Sequence, residues 1–410
     1  MIACVFSAQR KQGQSMKTQF THGSVMKPLF TNISLLLALF LAQSLVPHDA
    51  VGKLTWSEAE IVNEGVTPAF VTPNNACSIE IDAAGVAHIV FSGNIDYFYN
   101  IYYRQCGRSG WGKLEQVSIS PSTSTTPALA IGPRDAVYVV WSDNATGNCD
   151  LYFSTRLDKK WTMAENLTAD STSSLFPALC RARDGYLHLV WEDKLGESSR
   201  ILYSVRAGSR WSSPLCLSRR GTHATAPSID VSPDATVHCV WTEDTNGRSE
   251  IIYREFLKGS WRKPERLSKP SSSANRASLA ADKSGGVHVV WEDHRFTKPA
   301  ICYRERGTKD WRREVLLTDG SSKAFRPAVT AGPGPTVYVV WYDSKWGATE
   351  AVYRSREKET WGQPYRLSYS LAPTYFASIA AGDDGSLHAI FQDRQRGNYD
   401  VYYRRGEITR

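Results

Sequence analysis

The chain has 410 residues, of which 42% are hydrophobic and 11% aromatic, so it contains enough apolar material to bury a large core. Its formal net charge is +7, and because the first fifty residues carry three of these charges, the remainder is only mildly basic. This weak excess argues against the strongly basic surface typical of nucleic-acid-binding proteins, and no nucleic-acid partner is predicted.

The first predicted element is an export signal. Residues 33–42 form an apolar run, ISLLLALFLA, which follows Lys27 and precedes small and polar residues, the pattern of a secretory signal peptide. The run is too short to span a bilayer comfortably, so no transmembrane segment is expected after its removal. Residues 1–50 are interpreted as this signal and an over-long leader, with Met16 or Met26 as alternative starts. The mature protein is predicted to be exported, either to the periplasm or to the cell exterior.

Residues 51–410 repeat themselves every 50 residues without gaps. Three columns of residues recur in step, and each column is aromatic. The first column closes an apolar run and consists of Phe91, Trp141, Trp191, Trp241, Trp291, Trp341 and Phe391. The second consists of Tyr103, Phe153, Tyr203, Tyr253, Tyr303, Tyr353 and Tyr403. The third consists of Trp111, Trp161, Trp211, Trp261, Trp311 and Trp361. A fixed period of this length indicates a repeat architecture.

Each copy resolves into four short strands separated by turn residues, which is one blade of a β-propeller. The second strand is almost continuously apolar, as expected where both faces of a blade pack against neighbours. The sequence therefore predicts an all-β, seven-bladed β-propeller of four-stranded antiparallel blades. The last copy ends after its third strand, whereas residues 56–62 match the missing fourth strand in register. The N-terminal strand is accordingly predicted to complete the last blade and remove the open edges.

The PALA-type first strands, VHVVWED second strands, IYYR third strands and the Trp opening the fourth strand resemble the bacterial sialidase-like propellers, also called Asp-box or BNR-repeat proteins. The resemblance covers Trp56 to Arg410. Stretches such as 154–161 keep the Trp of the Asp box and lose its Asp and Gly. Sialidases of this superfamily have six blades and a Phe-Arg-Ile-Pro motif, to which the nearest match here is Phe325-Arg326-Pro327 in the sixth blade. The resemblance therefore implies the fold more than the reaction.

Two polar columns of the repeat are interpreted as scaffold. The first consists of His88, His188, His238, His288 and His388. Neighbouring second strands stand too far apart for these histidines to share a zinc ion, whose ligand atoms lie at about 2 Å, so no metal site is predicted. The second column, expected to cap the turns after the second strands, consists of Asp143, Asp193, Asp293, Asp343 and Asp393. The alternative for this column is a ring that attracts a structural cation in the channel; no cofactor is indicated.

Function is expected where the copies differ, because a ligand without seven-fold symmetry cannot be matched by identical loops. The residues just ahead of the predicted first strands should ring one mouth of the channel, and they are Ala76, Thr126, Phe176, Ala226, Arg276, Arg326 and Phe376. Blades five to seven supply the predicted ligand-binding residues, which are Arg276, Arg295, Arg326, Trp346, Tyr375 and Phe376. Guanidinium groups bind carboxylates in bidentate fashion, and aromatic rings provide faces for sugars, so this composition predicts an acidic-glycan site. The alternative is that the arginines pair with loop aspartates or face water.

Two functions fit such a site. The first is an exported module that binds a glycan or a protein through this mouth. The second is a glycoside hydrolase of exo-sialidase type acting on acidic glycans, in which Tyr342 and Glu292 would imitate a Tyr-Glu nucleophile pair and Asp293 or Asp343 would be the acid. The sequence favours the non-catalytic module, because each of these residues is also explained as the polar end of a strand.

Overall fold

The computed structural model describes residues 53–72, 77–95, 97–245, 247–307 and 310–409. Their strands form seven small antiparallel sheets. The seven-bladed all-β propeller predicted from the repeat is thereby confirmed. Within these ranges, no helix has the length and hydrophobicity that crossing a membrane would require. The predicted leader, residues 1–50, lies outside the described residues.

Each blade has three long strands, and the outer fourth strand is broken into short pieces that pair with the third. The strands of blade one are Ala69–Phe70, Ile79–Ile81, Ala87–Asn94, Tyr99–Gly107, Gly110–Trp111 and Glu115–Gln116. Those of blade two are Ser124–Ile131, Val137–Asp143, Asp150–Leu157, Lys160–Trp161 and Glu165–Asn166, and those of blade three are Ser173–Arg181, Leu187–Leu195, Ser198–Ala207, Arg210–Trp211 and Leu215–Cys216. Those of blade four are His223–Val231, Val237–Thr245, Arg248–Leu257, Ser260–Trp261 and Glu265–Arg266.

The remaining three blades follow the same plan. Blade five contains Ala274–Ala281, Val287–Asp293, Ala300–Arg306 and Val315–Leu316, and blade six contains Ala324–Ala331, Val337–Trp346, Ala348–Glu357, Thr360–Trp361 and Tyr365–Arg366. Blade seven contains Tyr375–Ala381, Leu387–Asp393 and Asp400–Thr409, and it is completed by Lys53–Trp56 and Glu60–Ile61. The first strands of neighbouring blades contact one another around the whole ring, so they surround the central channel.

The N-terminal segment closes the ring as predicted. Lys53–Trp56 pairs antiparallel with the third strand of blade seven, with Trp56 opposite Gly406, and Glu60–Ile61 pairs with the same strand further along. The pairing gives blade seven an outer strand like those of the other blades and covers backbone groups of Asp400–Thr409 that would otherwise be unpaired.

Aromatic side chains connect every blade to the next. The tryptophan of each fourth strand meets the second-column aromatic of the preceding blade edge to face, with ring centroids 4.9–5.5 Å apart and planes at 65–83°. The seven pairs are Tyr103–Trp161, Phe153–Trp211, Tyr203–Trp261, Tyr253–Trp311, Tyr303–Trp361, Tyr353–Trp56 and Tyr403–Trp111. Each such pair contributes about 0.5–1.5 kcal/mol beyond the area it buries. Since Trp56 supplies one of these contacts, the junction between blades six and seven is built like the others.

The residues expected ahead of the first strands lie inside them instead. The first strand of blade five starts at Ala274, and its pairing with the second strand shifts between Asn275 and Ser278. This β-bulge recurs at the same place in blades two to seven, and the residue in its middle has positive φ, between 46° and 53°, in each case. These middle residues are Thr126, Phe176, Ala226, Arg276, Arg326 and Phe376. The predicted strand starts were therefore two to four residues late, because a bulge interrupts the alternation on which the assignment relied.

Blade one departs from the 50-residue period. Its first strand is split, and Phe70 pairs with Ser92 at the place where Phe325 pairs with Tyr342 in blade six. The longer segment 71–78 replaces the short bulge of the other blades, and Ala76 lies outside the described residues. The prediction that Ala76 lines the mouth therefore stays a prediction, and Phe70 occupies the place equivalent to that of Phe325.

Candidate functional site

The arginine cluster, defined as Arg276, Glu292, His294, Arg326 and Tyr342, lies where the first strands of blades five and six begin. Both arginines are the middle residues of β-bulges, with φ of 51° and 46°. Glu292 and Tyr342 are equivalent residues near the ends of the second strands in the same two blades. The structure thus brings together four of the residues singled out above with His294, a residue of the second-to-third-strand loop of blade five that the sequence also places at this mouth.

Each bulge is held by the preceding blade. The backbone N–H of Arg326 donates to Glu292 Oε2 at 3.3 Å, and that of Arg276 donates to Thr242 Oγ1 at 2.9 Å. A residue other than glycine in the left-handed region costs about 1–3 kcal/mol and persists only where its surroundings impose it. The bond from the preceding blade supplies part of that constraint and fixes where each arginine leaves the backbone.

Glu292 is the anionic centre of the arginine cluster. It is 1% exposed, and Arg276 Nη1 lies 3.3 and 3.4 Å from its two carboxylate oxygens. His294 Nε2 lies 2.8 Å from Glu292 Oε1. Burial alone would raise the pKa of Glu292, but the hydrogen bond from His294 and the charge of Arg276 together hold the pKa below its ordinary value. Glu292 is therefore ionised at neutral pH and anchors the basic groups around it.

Arg326 lies between aromatic rings. Its guanidinium carbon is 4.8 Å from the centroid of the Phe376 ring, and its side chain hydrogen-bonds Tyr342. Burial, and next the charge of Arg276, lower the pKa of Arg326, whereas burial raises the pKa of Tyr342. The two guanidinium groups thus lie near enough to repel each other while Glu292 supplies one negative charge between them. An anionic ligand at this place would relieve that repulsion.

An aromatic arc continues from the arginine cluster across blades six, seven and one. It consists of Phe325, Tyr342, Tyr375, Tyr399, Phe70 and Tyr99, in that order. Successive ring centroids along it lie 5.3, 5.6, 6.5, 5.5 and 5.5 Å apart. Phe376 packs beside Tyr375 at 6.1 Å. The predicted ligand-binding residues Tyr375 and Phe376 therefore adjoin the arginines, as the sequence indicated.

Arg295 and Asp293 are not part of this arrangement. The Arg295 guanidinium binds both oxygens of Asp293, at 2.7 and 2.6 Å, and both oxygens of Glu314, at 2.7 and 3.0 Å. Asp293 is completely buried. Asp293, Cys302 and Glu314 are spaced closely enough to ligate a metal, but Arg295 already bonds all three side chains. These groups form an internal ion pair of blade five, which was the alternative considered for the arginines.

We expect Arg295→Met to lower the free energy of unfolding by about 3–5 kcal/mol, because it leaves the buried Asp293 without its charge partner. Affinity for a ligand at the mouth should stay unchanged. Urea denaturation and a binding titration on the same preparation test both parts. Arg313→Met, which changes an exposed arginine of the same blade, is the control for loss of surface charge. A variant of normal stability with weakened binding would place Arg295 in the ligand site after all.

Trp346 lies apart from the arginine cluster as well. Its ring contacts the guanidinium of Arg366, at 5.2 Å, and the ammonium of Lys345, at 5.7 Å. Arg366 belongs to the outer strand of blade six and also packs on Tyr369, at 4.6 Å. Trp346 is thus on the outer rim of blade six, whereas Arg276 and Arg326 belong to the innermost strands.

The repeated polar columns have partners within their own blades. Nδ1 of each column histidine lies 2.7–2.8 Å from the hydroxyl of the second-column tyrosine in the same blade, as in His188 and Tyr203. Aspartates of the other column accept the backbone N–H of the residue two positions later in blades two, five, six and seven, at 2.9–3.0 Å. The predicted turn-capping role of these aspartates is confirmed, and both columns act as scaffold.

Glu192 and Glu292 occupy the same repeat position two blades apart, and they differ in their partners. Burial raises the pKa of Glu192 from 4.5 to about 7. The hydrogen bond from the Ala226 N–H, at 3.4 Å, and the charge of Lys194 lower the pKa and offset the effect of burial only in part. Protonated Glu192 therefore stabilises the fold below pH 4.5, and this contribution is lost as the pH rises through about 7. Glu292, with its lowered pKa, stabilises the fold above pH 4.5 and loses this contribution as the pH falls.

We therefore expect opposite effects from the same substitution at these two positions. The free energy of unfolding of the unmodified protein should fall between pH 5 and pH 8 as Glu192 ionises. Glu192→Gln removes this fall, so going from pH 5 to pH 8 the variant should gain up to about 3 kcal/mol of stability relative to the unmodified protein. Glu292→Gln should lower the free energy of unfolding at pH 8. Urea denaturation at the two pH values measures both changes. An identical pH response in the two variants would contradict the assigned environments.

Neither a protein-family model nor a curated protein matches this sequence. Solved structures share its fold, among them a polysaccharide lyase of family PL25, an ulvan lyase, with 10% identity over 82% of this chain and 93% of that chain and a TM-score of 0.60. The same kind of enzyme has been solved bound to -[GlcA(1-4)Rha3S]-. Polysaccharide lyase Uly1 has 11% identity over 82% and 90% of the two chains and a TM-score of 0.55. The matches also include sialidases, such as the intramolecular trans-sialidase from Ruminococcus gnavus, with 10% identity, coverage of 85% and 97% and a TM-score of 0.47.

Proposed function

We propose that this protein is an exported propeller that binds acidic glycans at the mouth formed by blades five to seven. The observation that carries the proposal is the pair of neighbouring arginines, Arg276 and Arg326, beside one buried carboxylate, Glu292. Arg276 binds this carboxylate through its guanidinium and Arg326 through its backbone N–H, and the charge of Arg276 acts on the Arg326 guanidinium. Such a pair keeps an excess of positive charge at a place where aromatic rings are also half exposed. Carboxylate or sulfate groups bind the guanidinium forks, and the rings accept the apolar faces of sugars.

The structural neighbours support the same ligand class. The ulvan lyase carries a ligand that contains glucuronate and a sulfated rhamnose, according to its description. At 10% identity this likeness concerns the fold, so the ligand class for this chain depends on its own arginine cluster. The apolar run at residues 33–42 supports export of the protein.

A hydrolase of exo-sialidase type is the second candidate, because Tyr342 and Glu292 do lie in one cluster. Hydrolysis by a Tyr-Glu pair requires Glu292 to be free to act as base towards Tyr342, and a second carboxyl group to be free to act as acid. Glu292 already accepts bonds from Arg276, His294 and the Arg326 N–H. Asp293 is buried against Arg295. Both groups are thus engaged in holding the site, and binding is the function that this geometry supports best.

A glycan array tests the proposal, with uronate-bearing, sulfated, sialylated and neutral glycans presented at two salt concentrations. We expect binding to acidic glycans that weakens as salt increases, because exposed charges are screened. Equal binding to neutral glycans would refute the proposal. A fluorogenic sialoside assay covers the second candidate, and turnover that is abolished by Tyr342→Phe would favour the hydrolase.

A further inference from the structure

Three adjacent blades place an aromatic ring at the first-strand position that pairs with the residue directly after the first-column aromatic. The residues at this position in blades six, seven and one are Phe325, Tyr375 and Phe70. The other four blades have Thr125, Leu175, Thr225 and Asn275 there. The aromatic residues that stabilise the scaffold recur in every blade. An aromatic residue restricted to three neighbouring blades is therefore not required for packing of the repeat and indicates another role.

Tyrosines from other strands link these three rings into one surface. Tyr342 lies between Phe325 and Tyr375, at 5.3 and 5.6 Å, and Tyr399 lies between Tyr375 and Phe70, at 6.5 and 5.5 Å. Tyr99 extends the row at 5.5 Å from Phe70. Tyr99 and Tyr399 are equivalent residues of blades one and seven, and this position is not aromatic in the other five blades. The residues there are Cys149, Ser199, Ser249, Pro299 and Thr349.

The rings of the arc are partly accessible to solvent. Apart from the buried Tyr342, every member has intermediate exposure, whereas the scaffold aromatics of the first column are at most 1% exposed. In the hairpin that carries Tyr99, Tyr97 is 95% exposed and Phe98 is 45% exposed. A row of half-exposed aromatic rings beside a charged cluster has the character of a binding surface, since core packing would have buried them.

The arc is continuous with the arginine cluster. Tyr342 belongs to both, and Phe376, which packs beside Tyr375, lies under the Arg326 guanidinium. The charged end of the surface is therefore in blades five and six, and the aromatic end reaches blade one. Six rings in succession present more surface than a single sugar ring can cover.

We infer that the site takes several consecutive sugars of an acidic polysaccharide, with an anionic sugar on Arg276 and Arg326 and the following sugars along the aromatic arc towards Phe70 and Tyr99. This inference rests on the proposed function and extends it from a single acidic sugar to a chain of several. The arc supplies stacking faces at successive positions, so each added sugar gains contacts until the arc is covered.

Binding as a function of ligand length tests the inference. The probes are oligosaccharides of two, four and six sugars built from glucuronate and sulfated rhamnose, titrated by calorimetry against the full chain. We expect the affinity to rise by about tenfold or more between two and six sugars. Phe70→Leu and Tyr399→Leu should each weaken binding of the six-sugar ligand about tenfold and leave the two-sugar ligand unaffected. Tyr99→Leu gives a third measurement should Phe70→Leu fail to fold.

The control is Tyr186→Leu, which alters an exposed tyrosine in the turn between first and second strands, at the opposite end of blade three, and should change nothing. Equal affinity for two and six sugars, or leucine variants that bind all lengths normally, would overturn the inference and leave the proposed function in place. Absence of binding at every length, together with an array on which no acidic glycan binds, would overturn the proposed function itself.

Discussion

Deletion of residues 53–62 is expected to abolish cooperative folding of the propeller. The deletion leaves one side of Asp400–Thr409 without a paired strand and removes Trp56 from its edge-to-face contact with Tyr353. It also removes the completely buried Val62. Losses of this kind add up to the order of 5 kcal/mol or more, which is comparable to the whole stability of a typical domain. Thermal unfolding followed by circular dichroism measures the effect, and size-exclusion chromatography detects association through the exposed edge.

A milder variant makes the comparison quantitative. Trp56→Ala should lower the free energy of unfolding by about 3 kcal/mol. The matched control is Trp261→Ala, which removes the equivalent ring contact with Tyr203 between two ordinary blades. Equal losses in the two variants are expected, because the ring contact at Trp56 is built like the others. A loss from Trp56→Ala far below that from Trp261→Ala would mean that the closing segment adds little to the ring.

Arg326→Ala is expected to weaken binding of an acidic oligosaccharide by roughly 100-fold, because it removes the guanidinium group that is placed between Phe376 and Tyr342. The fold should tolerate the change, since Ala226 already occupies the equivalent backbone position in blade four with φ of 53°. Arg326→Lys keeps the charge without the planar fork and should recover only part of the affinity. Isothermal titration calorimetry measures the three affinities.

The control for this experiment is Arg366→Ala on the outer rim of the same blade. Arg366 packs against Trp346 and Tyr369 and pairs with the buried Glu350, outside the arginine cluster. Its loss should lower the free energy of unfolding and leave the affinity of the folded protein unchanged. Unchanged binding by Arg326→Ala, or equal weakening by Arg366→Ala, would show that the ligand does not sit at the inner mouth.

The fold could be predicted almost completely from the sequence, because the period of 50 residues repeats the same burial pattern seven times. The aromatic residues that pack between blades recur every 50 residues and can be recognised in the sequence. The match of residues 56–62 to the missing fourth strand of the last copy predicted how the ring closes. The detail that escaped was local. A residue with positive φ inside a strand, such as Arg276, leaves no signal in the alternation of apolar residues, so the strand start of blade five was placed three residues late.

The site could be predicted in part. Arg276, Arg326, Tyr375 and Phe376 were found because they differ from their equivalents in other blades, and the structure brings them together. Arg295 was grouped with them because sequence distance cannot reveal that its side chain turns back onto Asp293 and Glu314.

Phe70 was missed for a different reason. It lies before the longer segment 71–78 of blade one, which a repeat read without gaps cannot accommodate. The paired tyrosines Tyr99 and Tyr399, equivalent residues that are aromatic only in blades one and seven, were the available signal that this side of the mouth is special.

The bulges of the first strands affect how the residues around the channel mouth can change during evolution. Blades two to seven share one backbone conformation at the bulge, yet the side chains it presents range from Ala226 to Phe176 and Arg326. A mutation there changes what the mouth offers while the backbone around it stays the same. Ligand specificity can therefore change through substitutions in one blade at a time, without a change in the fold. Related chains could bind different ligands while their backbones remain nearly superimposable.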